Sequence, residues 1–429
     1  MYIKTIEISN IRSVRDFKME FSECAGWHVL IGDNGAGKST IIRSIALALV
    51  GPEEALGLRA DWRDWLNYRE NEGKILLCLE KSDDDKQTGK SAPLKNYYIP
   101  NEIVFRRTDG LVTFSSNKNH KNGGPDPMRY NWGQGTGWFS VAYGPYRRFA
   151  GGNQEWTKVF YSQPKLGAHL SAFGEDIALT EATEWLVKLN YQILEQKEST
   201  SVIDDIKRLV NSVDFLPHRA EIESISSEGV VFKDGNGSLI NVNQLSDGYR
   251  SVLSLTFELI RQLVRVYGSD SVFEHIRKGD SDNMKITLPG VVLIDEIDAH
   301  LHPTWQTRIG QWFTRYFPNI QFIVTTHSPL ICRASDKGTI WRLAAPGSVE
   351  TSKEVEGDDR NRLIYGNVLD AYGTEIFGSD VTVSAEATEK KEELVQLSKK
   401  KTAGVISATE ENKLQELRKT FSTDDKIEL

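Results

Sequence analysis

Nine consecutive residues have the types and spacing that suit the binding of a phosphate group. They read Gly-Asp-Asn-Gly-Ala-Gly-Lys-Ser-Thr at positions 32–40, and an apolar run at 27–31 precedes them. This G-x-x-x-x-G-K-[ST] pattern predicts a strand, a glycine-rich turn and a helix over 39–49. Glycines let backbone N–H groups approach an anion closely, and the helix N-terminus adds unpaired N–H groups and a positive dipole end. We therefore expect a phosphate-binding loop here.

The loop offers both a cation and a metal ligand. Lys38 can reach the β- and γ-phosphates of a nucleotide, and the Ser39 hydroxyl can bind Mg²⁺. The alternative, a chance glycine turn before a helix, needs nearly every position of the pattern to match by accident. The residues predicted to contact a nucleoside triphosphate are Asp33, Asn34, Gly35, Ala36, Gly37, Lys38, Ser39 and Thr40.

Polar residues follow two further apolar runs. Asp295 and Glu296 come directly after residues 291–294, a run without polar alternation that predicts a strand buried on both faces. There Asp295 can bind Mg²⁺ directly or through water, and Glu296 can orient or deprotonate an attacking water molecule. His327 follows the next buried run, residues 321–326, and can donate a hydrogen bond to a γ-phosphate.

A fourth motif, Leu245-Ser-Asp-Gly248, precedes a predicted helix over 252–266. Its hydroxyl group, its backbone N–H groups and the helix dipole together make an anion site. The order of phosphate loop, this motif, acidic pair and histidine resembles that of ABC-class ATPases, in which the motif is the signature. The resemblance implies an α/β, ABC-type P-loop ATPase head that binds and hydrolyses ATP with Mg²⁺.

The same resemblance implies a second copy of the chain. In the ABC class the signature, here Ser246, Asp247 and Gly248, faces the γ-phosphate held by the other protomer, so a head-to-tail homodimer or a higher oligomer is expected. Asp298 matches the family's dimer-contact loop. The chain departs from the pattern at Asp247 and Tyr249, where transporter-type members carry glycine and glutamine. The sequence also does not identify the glutamine that usually links Mg²⁺ to the insertion.

The N-terminal residues indicate which group of ABC-class ATPases the chain resembles. A short predicted strand followed by Asn10-Ile-Arg-Ser13 is similar to the opening of RecF/SMC/Rad50-like ATPases. By that resemblance Arg12 and Ser13 approach the nucleotide, and a surface arginine in a turn is the open alternative. We expect the strands at 1–10 and 27–31 to begin one sheet.

The predicted organisation has four parts. They are an ATPase lobe with the phosphate loop and an antiparallel β edge sheet at 1–150, a helical insertion at 151–220, a second lobe at 221–345, and a C-terminal helical tail at 346–429 that docks a partner. A single helix is expected from about residue 303 to 317. The tail is highly charged and helix-prone, with a break near residues 403–404.

The net charge, the apolar runs and the cysteines limit the classes of protein to which the chain can belong. The net charge of −8 does not favour general nucleic-acid binding, although DNA remains a candidate partner. No apolar run approaches the ~20 residues of a membrane span, so we expect no membrane partner. The N-terminus lacks a signal-peptide core, and three widely spaced cysteines suit a reducing compartment; both favour a cytoplasmic protein.

Three functions follow from the family resemblance. The chain looks most like the stand-alone ATPases of bacterial anti-phage systems, in particular the Septu type (PtuA), whose nuclease is a separate HNH-type subunit. The residues after the head show no Toprim-like acidic strand tips, so we expect no Toprim nuclease of the kind that follows the head in overcoming-lysogenization-defect ATPases. A RecF-like repair ATPase that clamps DNA is the alternative, and a transporter ATPase is a third that the N-terminus disfavours. We expect no nuclease activity of the chain's own.

Overall fold

The computed structural model divides the chain into two compact units, Met1–Tyr365 and Gly366–Leu429. The residues that the structure describes are 1–85, 98–116, 126–132, 137–146, 159, 162–174, 180–195, 201–212, 216, 220–226, 229–278, 284–348, 350–367, 371 and 385–420.

The first unit contains an antiparallel sheet with the strand order β2-β1-β4-β5-β6 in the described part of the chain. Its strands alternate buried and exposed side chains along β2 and β4, as expected for a sheet with one face on a core. The strands are β1 (Tyr2–Ile11), β2 (Val14–Glu20), β4 (Glu72–Glu80), β5 (Ile99–Thr108) and β6 (Leu111–Ser116).

A second, mostly parallel sheet has the order β14-β13-β3-β12-β11-β7 among the described residues. The strands β3, β11, β12 and β7 are buried along their whole length, which is typical of strands covered on both faces. The strands are β3 (Gly26–Ile31), β7 (Ser140–Tyr143), β11 (Gly290–Ile294), β12 (Ile320–Thr326), β13 (Ile340–Arg342) and β14 (Lys353–Glu354).

Helix α1 (Lys38–Val50) contacts strands of both sheets and is buried along most of its length. One hydrophobic core joins it to the antiparallel sheet and to one face of the parallel sheet. The other face of the parallel sheet is covered by α10 (Ile309–Tyr316), where Phe313 packs on Trp27 and Phe322. These layers confirm the predicted α/β class with its separate antiparallel sheet.

The remaining elements of the first unit lie around this core. A three-stranded antiparallel sheet consists of β8 (Glu221–Ser226), β9 (Gly229–Lys233) and β10 (Leu239–Asn241). The other helices are α2 (Pro52–Ala55), α3 (Pro127–Tyr130), α4 (Pro164–His169), α5 (Thr180–Leu194), α6 (Ser201–Val210), α7 (Asp247–Tyr267), α8 (Ser269–Lys278), α9 (Pro303–Gln306) and α11 (Gly357–Tyr365).

Two expectations about neighbouring elements are wrong. Strands β1 and β3 do not begin one sheet, because β1 pairs with β2 and β4 whereas β3 pairs with β12 and β13. The helix expected over 303–317 is divided into α9 and α10. At the break the Thr307 hydroxyl donates to the carbonyl of Thr304, a local bond that competes with helix continuation.

The first unit also extends further than the predicted start of the tail at residue 346. Strand β14 pairs with β13, and the Val355 N–H donates to the carbonyl of Ile340. On α11, Leu363 is buried and the Arg360 guanidinium donates to the carbonyl of Ser335. Residues up to Tyr365 therefore belong to the first unit.

A buried amide side chain joins the two sheets. The Gln321 side chain on β12 accepts a hydrogen bond from the Ile3 N–H at 2.7 Å and donates to the Ile3 carbonyl at 2.9 Å. Gln321 is fully buried, so an unpaired amide there would cost ~1–3 kcal/mol. This pair of bonds fixes the start of β1 against the parallel sheet.

The described part of the second unit contains a hairpin of α12 (Ala385–Thr402) and α13 (Ala408–Thr420). Gly404 has a φ of +72° in the turn between them, which explains the break predicted near it. Four leucines are buried against one another between the helices: Leu394, Leu397, Leu414 and Leu417. Lys400 and Lys401 pair with Glu410 and Glu411 across the hairpin.

Within the described residues, no helix is both long enough and apolar enough to cross a membrane.

Two buried histidines make a pH-dependent contribution to stability. The His28 imidazole lies between the Thr339 hydroxyl at 3.0 Å and the Cys24 carbonyl at 2.9 Å. His169 lies between Ser140 and the Lys165 carbonyl. Burial lowers the pKa of each to about 4, although the backbone bond raises it slightly. Both side chains are therefore neutral in the folded protein at neutral pH.

The unfolded chain takes up a proton at His28 near pH 6.5 and the folded protein does so near pH 4, so stability is lost as the pH falls through this range. We expect the difference in unfolding free energy between wild type and His28→Gln to shrink by about 3 kcal/mol between neutral pH and about pH 4. Urea titrations across this range measure it, with the exposed His275→Gln as the control. A difference that stays constant with pH would contradict the assignment.

Candidate nucleotide-binding site

The register of the parallel sheet brings the predicted motifs to one edge. Ile31, the last residue of β3, pairs with Thr326 at the end of β12. Val324 of β12 pairs with Ile294, the last residue of β11. The segments that follow these strands are the phosphate loop, the Asp295-Glu296 pair and His327, and they begin side by side at the carboxyl ends of the strands. That is where ligands bind in open α/β sheets.

The phosphate loop depends on its glycines. Gly35 and Gly37 have φ values of +81° and +95°, a region that other residues rarely occupy. A Cβ at Gly37 would also lie 2.8 Å from Cγ2 of Val14. The loop therefore holds a backbone shape that a side chain at position 37 would prevent.

Lys38 is folded back over the loop. Its Nζ donates hydrogen bonds to the carbonyls of Gly32 at 2.6 Å and Asp33 at 3.0 Å. Burial lowers the pKa of Lys38, and Asp295 and Glu296, with two other nearby aspartates, oppose that change. The charge of the lysine therefore interacts with that of the acidic pair at the end of β11.

The acidic pair is tied to the neighbouring strand. Asp295 is 1 % exposed, and its Oδ1 accepts a hydrogen bond of 2.6 Å from the Thr325 hydroxyl. The Glu296 N–H donates to the same hydroxyl oxygen at 2.8 Å, and the Ile297 N–H donates to the Thr325 carbonyl at 3.0 Å. Glu296 has a φ of +48°, a left-handed conformation that is uncommon for a non-glycine residue.

Asp298 accepts hydrogen bonds from a second threonine, Thr326, and from the backbone of His327. The Thr326 hydroxyl donates to Asp298 Oδ1 at 2.5 Å, and the His327 N–H lies 3.4 Å from the same oxygen. The His327 side chain is exposed at the end of β12. The structure therefore brings Lys38, Asp295, Glu296, Asp298 and His327 to one region of the sheet edge.

Arg12 and Ser13 lie beside the phosphate loop. The Ser13 Oγ is 3.5 Å from the position that a Cβ at Gly37 would occupy. Arg12 has a φ of +51° and its guanidinium lies over the Trp65 ring, 5.0 Å from the centroid. Burial lowers the pKa of Arg12, as does the nearby Arg43, and its Nε has no hydrogen-bond partner among the described residues. The positive charges of Arg12 and Arg43 would stabilise an anion bound next to them.

The predicted signature lies at the start of α7. Ser246 is the N-cap, and within the described residues its side chain makes no capping bond. Asp247 is exposed and forms an ion pair with Arg250 one turn along the helix. A Cβ at Gly248 would lie 2.9 Å from the His300 carbonyl oxygen, so a larger residue would press on the loop that carries Asp298. The helix that the sequence predicts over 252–266 begins earlier in the structure, at Asp247.

Strand β7 also ends at this edge of the sheet. The Asp295 N–H donates to the Tyr143 carbonyl at 2.8 Å, so residues 144–146 leave the sheet beside the acidic pair. These residues are Gly144, Pro145 and Tyr146. Gly144 is required, because a Cβ there would lie 2.1 Å from the Ser171 carbonyl oxygen. No glutamine stands at this tip among the described residues.

The sequence did not identify Thr325 and Thr326 as part of the site. Both hydroxyl groups are buried, and they hold the acidic residues by hydrogen bonds. The available signal was a pair of polar residues at the end of an otherwise apolar strand, directly before His327.

The residues present fit a magnesium nucleotide. Gly35 and Gly37 give the loop a left-handed backbone shape that other residues rarely adopt, and Lys38 supplies a cation next to the loop. Ser39, on the first turn of α1, and Asp295 offer hydroxyl and carboxylate oxygens, the ligands that Mg²⁺ prefers.

Two family models match separate parts of the chain. Residues 5–127 match "AAA domain", and residues 181–333 match "AAA domain, putative AbiEii toxin, Type IV TA system". The first range contains the phosphate loop and the second contains the signature and the acidic pair. Both halves of the candidate site therefore fall in matched regions.

Curated relatives match much of the same region. The chain is 28% identical over 345 residues to the Septu protein PtuA of Bacillus mycoides, covering 79% of this chain and 40% of the relative. It is 36% identical over 143 residues to the "Retron Ec83 probable ATPase" of Escherichia coli, covering 33% of this chain and 24% of the relative. The chain thus spans less than half the length of both relatives. The SMC head domain of Thermotoga maritima is 14% identical, covers 83% of this chain and 100% of its own, and gives a TM-score of 0.41.

Proposed function

From its relationship to ABC-type, RecF/SMC-like ATPases, we propose that this chain binds ATP with Mg²⁺ and hydrolyses it at the edge of the parallel sheet. The observation that carries the proposal is the register of β3, β12 and β11, which sets the phosphate loop beside Asp295, Glu296 and His327. Each of these groups has a distinct task in phosphoryl transfer.

The phosphate loop binds the triphosphate. Lys38 exchanges its bonds to the Gly32 and Asp33 carbonyls for the β- and γ-phosphates, and the N–H groups at the start of α1 face the same oxygens. Ser39 and Asp295 would hold Mg²⁺, which would neutralise charge on the phosphate oxygens. Arg12 and Ser13 lie on the flank of the loop and contact the nucleotide.

Glu296 acts as the general base. Its carboxylate accepts a proton from the water that attacks the γ-phosphorus, while the bond from phosphorus to the β–γ bridging oxygen breaks and ADP leaves. His327 donates a hydrogen bond to the γ-phosphate. Because the loop around Glu296 is bonded to β12, the base is in place before the nucleotide arrives, which lowers the reorganisation that the reaction requires.

A second copy of the chain completes the site. The exposed start of α7 presents the Ser246 hydroxyl and helix N–H groups, which suit a phosphate held by another protomer. The ion pair with Arg250 offsets the negative charge of Asp247, which otherwise opposes such an approach. Asp298 lies in the loop that meets the second copy.

Lys38→Ala should weaken ATP binding by at least about tenfold, because the triphosphate loses a charged hydrogen-bond donor. Isothermal titration calorimetry with ATP and Mg²⁺ measures the affinity. Wild-type affinity in this variant would contradict the proposed loop function.

The matched control is Glu296→Gln, which keeps the size of the side chain and removes the base. It should bind ATP as tightly as wild type and turn over slowly in a phosphate-release assay. Hydrolysis at the wild-type rate by Glu296→Gln would exclude Glu296 as the base without affecting the proposal for Lys38.

We further infer that the ATPase is a cytoplasmic subunit of an anti-phage defence complex and regulates a separate nuclease of the HNH type. The support is the relationship to a protein named for a Septu system and to one named for a retron. The C-terminal hairpin is the proposed docking element. Because its leucines are buried within the hairpin, docking would use the charged outer faces of α12 and α13.

Truncation after Tyr365 tests the docking role, since this cut preserves β14 and α11 in the first unit. We expect the shortened chain to keep its ATP affinity and to lose co-purification with the co-expressed product of a neighbouring nuclease gene. The full-length chain is the control. Partner binding retained by the truncated protein would refute docking through the hairpin.

A further inference from the structure

We propose that Thr325 is a positioning residue for hydrolysis, and that its hydroxyl group sets the direction of the Glu296 carboxylate through the backbone of the acidic loop. The inference rests on the proposed function, in which Glu296 is the base. Thr325 lies 29 residues after Glu296 in the sequence, at the end of β12, and is hydrogen-bonded to it in the fold.

The Thr325 hydroxyl bridges both acidic residues. It donates to Asp295 Oδ1 at 2.6 Å and accepts from the Glu296 N–H at 2.8 Å. A hydroxyl has one donor hydrogen and two acceptor lone pairs, so these two bonds fix its rotation. The same residue's carbonyl accepts from the Ile297 N–H at 3.0 Å. Thr325 thus bonds three consecutive residues of the loop.

The loop needs this support because Glu296 is in a strained conformation. Its φ of +48° is left-handed, which costs roughly 1–2 kcal/mol for a residue with a Cβ. Such conformations persist when surrounding bonds determine them. Thr325 is 0 % exposed, so its bonds form away from water and their loss would not be replaced by solvent.

The phosphate loop is held separately. Its shape depends on Gly35 and Gly37 and on the Ala36 N–H, which donates to the Asp33 carbonyl at 3.2 Å. Losing the Thr325 hydroxyl would therefore release the Glu296 backbone from the left-handed region and turn its carboxylate away. The phosphate loop would stay in place, and the Asp295 backbone would stay bonded to the Tyr143 carbonyl although its side chain loses one partner. The expected consequence is a loss in kcat with little change in ATP affinity.

Thr325→Val tests this, because valine keeps the shape of the side chain and removes the hydroxyl group. We expect kcat to fall about 10- to 100-fold, the usual effect of losing a group that orients a catalytic residue. ATP affinity should stay within about threefold of wild type, less than 1 kcal/mol. Thr325→Ser, which restores the hydroxyl, should recover most of kcat.

The control is Thr256→Val, which removes a hydroxyl from an equally buried threonine on α7 that donates to the Val252 carbonyl. It should leave kcat unchanged. Wild-type kcat in Thr325→Val would overturn the inference. So would an equal loss of kcat and ATP affinity in Thr325→Val, because that result indicates a general structural role.

Hydrogen exchange provides a readout that does not depend on hydrolysis. In the nucleotide-free protein, peptides that contain the Glu296 and Ile297 amides should exchange faster in Thr325→Val than in wild type, Thr325→Ser or Thr256→Val. Unchanged exchange would overturn the inference. A wild-type protein that neither binds nor hydrolyses ATP would overturn the proposed function itself, whereas an active wild type with an active Thr325→Val would overturn the positioning role alone.

Discussion

Strand β12 lies between β3 and β11, and its parallel pairing with both sets the positions of the phosphate loop, the acidic pair and His327. The pairs Ile31 with Thr326 and Ile294 with Val324 set the ends of the three strands at one edge. A shift of one residue in either pairing would turn the side chains of a strand to the opposite face of the sheet. The candidate site is therefore a consequence of strand register, and its residues come from segments far apart in the sequence.

The register is stabilised from several directions. The antiparallel sheet packs with α1 on one face of the parallel sheet, and Gln321 bonds β12 to the start of β1. On the other face Trp27 packs against Phe313 and Phe322. Since these contacts converge on β3 and β12, the strand that carries Thr325 and Thr326 is among the best-supported parts of the fold.

Two acidic residues of the candidate site are hydrogen-bonded to this rigid strand. Glu296 is held in a left-handed conformation by bonds to Thr325, and Asp298 is held by Thr326. Lys38, in contrast, bonds to two carbonyls of its own loop, bonds that phosphate oxygens can replace. The proposed base is thus fixed in advance, whereas the phosphate-binding cation is free to exchange partners.

The sequence predicted the phosphate loop, the strands before each motif and the helical hairpin, because glycine spacing and apolar runs are local signals. It did not predict that β1 and β3 lie in different sheets, or that Gln321 joins those sheets, because pairing between distant strands leaves no local pattern. The hydroxyl groups of Thr325 and Thr326 were missed for the same reason. The leucines of α12 and α13 fit a docking stripe by spacing, but they are buried against each other.

We propose that two copies of the chain enclose ATP between the phosphate loop of one and the signature of the other. Sedimentation velocity of Glu296→Gln with Mg²⁺ and ATP tests it most directly, because this variant should bind ATP without consuming it. We expect a shift from the mass of one chain to about twice that mass on addition of ATP, and no shift with Lys38→Ala. An unchanged mass in Glu296→Gln that has bound ATP would contradict the claim.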